Sequence, residues 1–136
     1  MANRIPTREA YGKALAELGG RNDKIVVFDA DVAMATKTIY FKNAYPNRFF
    51  DAGISEANMI CTAAGMADMG YIPFVNSFAV FGLGRAFDQV RNTAAYGKCN
   101  VKLCMPMALM QKEFPARFWN SWETKHNSSP SLKAYI

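Results

Sequence analysis

A chain of 136 residues with 51% hydrophobic and 13% aromatic side chains holds one domain with a sizeable core and is too apolar for a disordered tether. Its net charge of +5 is spread along the chain without a basic block, which argues against a nucleic-acid-binding stripe. No apolar run is long enough to cross a bilayer and Met1-Ala2-Asn3-Arg4-Ile5-Pro6 lacks a signal-peptide core, so no membrane association is expected. Cys61, Cys99 and Cys104 are odd in number and lack CxxC spacing, and they read as reduced core thiols of a cytoplasmic protein.

The first expected element is a helix. Thr7 is its N-cap and Glu9 lies in its first turn; Tyr11, Ala14, Leu15 and Leu18 share a buried face, and Gly19-Gly20 stops it. Ile25-Val26-Val27-Phe28 has no polar alternation, as in a strand covered on both sides, and runs into Asp29-Ala30-Asp31 at its carboxyl end. Two acids at that spacing, with no His or further acid nearby, make a poor metal site; they more often cap the next helix or accept from loop amides. Ile39 to Ala44 follows as a short helix ended by Tyr45-Pro46.

Arg48-Phe49-Phe50 is an aromatic strand, and Asp51-Ala52-Gly53-Ile54-Ser55-Glu56-Ala57-Asn58-Met59 turns it into a helix of apolar and small residues that carries one carboxylate at its start. The bland reading of Glu56 is a solvated carboxylate favoured by the helix dipole. The sharper reading is a proton donor or acceptor kept from water at a strand tip, where α/β sheets place their ligands.

Ile72 to Phe78 is a third strand, with Pro73 at its beginning, where a missing amide matters least. Phe78 and Phe81 stand at the passage into the next helix, either as core or as a pair that stacks on a flat heterocycle. That helix runs to about Gly97 and carries Arg85, Asp88, Gln89 and Arg91; a guanidinium near its start suits a phosphate or carboxylate, although a surface ion pair is commoner. Val101 to Met105 is a fourth strand. Strands alternating with helices predict an α/β fold, a three-layer sandwich with a mainly parallel sheet and right-handed crossovers.

Four blocks in this order resemble the pyrimidine-binding domain of transketolase, above all the separate C-terminal subunit of two-chain transketolases. They are Arg8-Glu9-Ala10-Tyr11-Gly12-Lys13-Ala14-Leu15, Val27-Phe28-Asp29-Ala30-Asp31-Val32, Tyr45-Pro46 through Met59, and Pro73-Phe74-Val75-Asn76-Ser77-Phe78-Ala79-Val80-Phe81. The resemblance implies thiamine diphosphate held between two different domains. This one would supply the aminopyrimidine side and a partner domain the magnesium and diphosphate contacts, since the Gly-Asp-Gly pattern for them is missing here.

By the same resemblance Glu56 bonds the pyrimidine N1′ and acts in catalysis, Phe78 and Phe81 wall the ring, and Asp31 and Ile54 belong to the cofactor site. Arg85 would meet the substrate phosphate. The implied reaction moves a two-carbon ketol unit from a ketose phosphate to an aldose phosphate. The implied partners are a diphosphate-binding subunit and a second copy across the active-site interface.

Gly84 stands where many relatives carry a third aromatic, and Ala35 where many carry a serine near the substrate phosphate, so a looser wall is expected at the first and no phosphate contact at the second. Related thiamine diphosphate enzymes, deoxyxylulose phosphate synthase and the 2-oxo acid dehydrogenase β subunit, share part of the pattern; the run Asp29 to Thr38 favours transketolase. After Leu103 the likeness stops. Residues 1–105 therefore read as a partial domain and 106–136, with the single histidine His126, as a tail foreign to the family, the sign of a truncated or frameshifted gene. A non-catalytic remnant that binds partner chains without turnover is the competing reading.

Overall fold

Four short runs rich in β-branched and aromatic residues lie side by side in the computed structural model, which describes residues 6–105. They are β1 (Ile25–Asp29), β2 (Phe49–Asp51), β3 (Ile72–Asn76) and β4 (Lys102–Cys104), in the order β2-β1-β3-β4. Each neighbouring pair is parallel. The α/β class and parallel sheet are as the sequence predicts, and the expected tail of 106–136 lies outside the described residues.

Strand periodicity sorts the core into two layers. In β1, Val26 and Phe28 join Met59, Ile60, Ala63, Val75, Leu83 and Val90 on one side of the sheet. Ile25 and Val27 join Leu15, Phe41 and Phe49 on the other. The first side is covered by α4 (Glu56–Asp68) and by helical turns at Val80–Arg85 and Gln89–Ala95; the second by α1 (Thr7–Arg21) and α3 (Ile39–Ala44). Between β1 and α3 lies the single turn α2 (Ala33–Thr36). Every residue of β1 is buried, which is why its apolar run shows no alternation.

Several local expectations need correction. Thr7 opens α1 as its first helical residue, with Pro6 in the cap position and no side-chain cap bond; the Pro6 carbonyl accepts from the Glu9 and Ala10 amides instead. Gly19-Gly20 does not stop the helix, which continues to Arg21. Gly19 is buried, and a methyl group on it would overlap the rings of Phe41 and Tyr45, so this glycine serves the close approach of α3. Gly12 has the same role against the Lys37 carbonyl. The buried stripe of α1 is therefore Gly12, Leu15 and Gly19, while Leu18 is 42% exposed. Of the three thiols only Cys104 is buried, and Cys61 is exposed on α4.

The helix expected up to Gly97 is wound in wide π-type turns, Val80–Arg85 and Gln89–Ala95. Gly82 in the first of them lies against the end of the Met105 side chain, which would have to shift for a Cβ. Such turns are rare and often sit beside functional sites.

Arg48 ties the layers together. Its guanidinium donates to the carbonyl of Gly19 at 2.8 Å and of Asn22 at 3.0 Å, satisfying the end of α1, and lies 4.3 Å from the centre of the Tyr45 ring. Arg48→Met keeps the aliphatic stem and strands those carbonyls. It is expected to cost about 2 kcal/mol, read as a fall in the urea midpoint with an unchanged m-value. Among the described residues no helix is long and apolar enough to cross a membrane.

Candidate functional site

The strand register places Asp51 and Asn76 beside Asp29, and Cys104 beside Asn76, so polar side chains gather at the carboxyl ends of the strands. Two of them are structural. The Asp29 carboxylate accepts from the Val32 amide at 2.6 Å and from the Thr36 and Thr38 hydroxyls at 3.0 and 2.8 Å, fixing the loop that follows β1. Burial pushes its pKa up, and those three bonds oppose the rise. The caps-and-amides reading of this acid holds. Asn76 accepts from the Tyr11 hydroxyl at 2.6 Å and donates to the carbonyls of Phe28 and Phe74, pinning the end of β3. Burial drives the Tyr11 phenol well above the usual tyrosine range.

Asp51 does a different job. One of its oxygens accepts from both the Asp31 amide at 3.1 Å and the Gly53 amide at 3.0 Å, which joins the loops after β1 and β2. Asp31 has φ of 60° and Gly53 of 66°, so both turns use left-handed backbone, natural for glycine and accessible to aspartate. Asp31 itself is exposed, and Ile54, one residue past Gly53, is 73% exposed.

Glu56 is the first residue of α4 and only 3% exposed, which rules out the solvated dipole carboxylate. Its Oε1 accepts a hydrogen bond from Ser77 Oγ at 3.1 Å. Its Oε2 is buried and has no partner, the one such side-chain atom among the described residues. A buried oxygen left without a hydrogen bond is costly, so its retention points to a partner that arrives from outside the chain.

Ser77 leads directly into Phe78, whose ring meets that of Phe81 edge-on at 6.4 Å; Phe81 remains 41% exposed. Glu56, Ser77, Phe78 and Phe81 thus form one connected group, while Asp31 and Ile54 ride on the two loops joined by Asp51. Arg85 is tied to neither group by a hydrogen bond or ion pair among the described residues. It is exposed, ends the Val80–Arg85 segment rather than starting a helix, and makes no ion pair within 4.0 Å among the described residues.

The sequence marks Ser77 and Asp51 only weakly, as a serine closing an apolar strand and an aspartate before Ala-Gly. An open depression of about 340 Å³ lined by Asp23, Lys24, Met69, Gly70 and Tyr71 lies at the other end of the sheet, away from this chemistry.

Residues 3–111 match the family described as transketolase, pyrimidine binding domain. The chain belongs to this family. Human transketolase is 42% identical over 105 residues, a match covering 76% of this chain and 16% of that protein. A 6-deoxy-6-sulfo-D-fructose transketolase subunit from Clostridium sp. strain MSTE9 is 44% identical over 96 residues, covering 71% of this chain and 30% of that one. Among solved structures, a split-gene transketolase in an inactive β4 tetramer shares 54% identity with a TM-score of 0.69, over 76% of this chain and 34% of that chain. This pyrimidine-binding domain therefore spans about a third or less of the proteins it resembles.

Proposed function

We propose that this chain is the pyrimidine-binding half of a thiamine diphosphate-dependent transketolase, moving a two-carbon ketol unit from a ketose phosphate to an aldose phosphate. The observation that carries the reading is Glu56 Oε2, buried and without a partner at the carboxyl ends of the strands. A ring nitrogen of an aminopyrimidine supplies what that oxygen lacks, and the Phe78 and Phe81 rings offer the apolar surface that a flat heterocycle needs. The residues present therefore fit the cofactor.

When bound, the cofactor supplies the carbon that adds to the ketose carbonyl. Glu56 would hold a proton at the pyrimidine N1′, kept from water by its burial. Asp31 and Ile54 would line the approach from the loops joined by Asp51, and the Arg85 guanidinium is free to take a sugar phosphate. Magnesium and the diphosphate belong to a second, diphosphate-binding chain, and Phe81 and Ile54 offer exposed apolar surface to it and to a second copy of this one. The cytoplasm, where sugar phosphates are made, is the fitting compartment.

The test is reconstitution. The chain mixed with a diphosphate-binding transketolase subunit, magnesium and thiamine diphosphate is expected to transfer a ketol unit from xylulose 5-phosphate to ribose 5-phosphate, and to do nothing when any one component is left out. Tight association of the two chains without turnover would overturn the enzyme reading in favour of a non-catalytic binding remnant.

A further inference from the structure

The two oxygens of Glu56 are not equivalent: one is bonded to Ser77 and the other faces no partner. A terminal carboxyl torsion is broad and roughly two-fold, so an unconstrained glutamate presents either oxygen. A hydroxyl that donates to Oε1 removes that freedom. An oxygen already accepting a hydrogen bond is also the poorer seat for a proton, which leaves Oε2 as the protonated atom of the neutral acid.

Ser77 is placed to impose this. It is 0% exposed, and its backbone follows Asn76, which is anchored to the carbonyls of both Phe28 and Phe74. With Glu56 3% exposed, water does not compete for the contact.

We infer that Ser77 is a positioning residue, which by donating to Glu56 Oε1 turns Oε2 toward the pyrimidine and fixes the carboxyl proton there. The inference rests on the reading that Glu56 meets a pyrimidine nitrogen. A residue chosen only to fill the core at this point needs no hydroxyl, and alanine would pack as well.

The experiment uses the full chain with a diphosphate-binding subunit and magnesium, and compares Ser77→Ala, Ser77→Thr, Glu56→Gln and the double variant. Calorimetry gives the dissociation constant of thiamine diphosphate, and initial rates give the pH profile of transfer. Ser77→Ala is expected to weaken cofactor binding about tenfold, the worth of one hydrogen bond, and to displace the acid limb of the pH profile. Ser77→Thr keeps the hydroxyl and is expected to restore affinity to within about threefold of wild type. In the Glu56→Gln background, which has no carboxyl proton to fix, Ser77→Ala is expected to cost less affinity than in wild type and to leave the pH profile where it is.

Wild-type affinity and pH profile in Ser77→Ala would overturn the inference, as would an equal loss with and without Glu56. Where Ser77→Ala fails to fold by circular dichroism, Ser77→Cys, a similar volume with a weaker donor, carries the same comparison. Glu56→Gln without effect on either readout would instead overturn the pyrimidine reading itself.

Discussion

Glu56→Gln in the reconstituted complex is expected to lower kcat for ketol transfer by about 10²- to 10⁴-fold, the range of a positioned proton donor or acceptor. The substitution keeps the side chain's volume and leaves an amide oxygen to accept from Ser77, so the contact at 3.1 Å survives. What changes is the atom in the place of Oε2, which becomes an amide nitrogen that offers hydrogens but neither gives up nor takes a proton. Because the replaced group is a buried acid, stability should stay level or rise slightly. A thermal melt within a few degrees of wild type, together with the lost turnover, separates chemistry from unfolding. Retention of more than a tenth of wild-type kcat would remove Glu56 from the reaction.

Asp29→Ala is expected to cost about 2 to 4 kcal/mol of folding stability, because it strands the Val32 amide and takes an acceptor from Thr36 and Thr38. Asp29→Asn, which still offers an oxygen and can donate to a threonine hydroxyl, should cost less than about 1 kcal/mol at neutral pH. The pH dependence separates the two forms of residue 29. Burial raises the pKa of Asp29 in the folded chain above its unfolded value, so ionisation at neutral pH works against folding. Lowering the pH through the folded-state value relieves that penalty, and the relief is complete below the unfolded value. Urea titrations at several pH values should therefore show wild type gaining stability relative to Asp29→Asn as the medium is acidified. A gap that widens in favour of the asparagine variant on acidification would contradict the burial argument.

Much of the architecture was written in local patterns. An unbroken apolar run such as Ile25 to Phe28 has few alternatives to a strand buried on both faces, and the carboxylate of Glu56 at the head of an apolar helix marked the site. What local patterns do not carry is the third dimension. Gly19 and Gly20 have the composition of a stop signal, and only the nearness of Phe41 and Tyr45 turns Gly19 into a packing contact. Leu18 fits the helical period of the buried face, yet the stripe is set by the two glycines and lies one step round the helix. Gly82 lies against the Met105 side chain, more than twenty residues away. Ser77 and Arg48 matter through partners 21 and 29 residues distant, a separation at which sequence reading has no rule to offer.

The single Asp51 oxygen shared by the Asp31 and Gly53 amides has a mechanical consequence. Both amides lean on one acceptor, so displacing that carboxylate loosens the two loops together. An Asp51→Ala chain should then take up deuterium faster at the Asp31 and Gly53 amides at once.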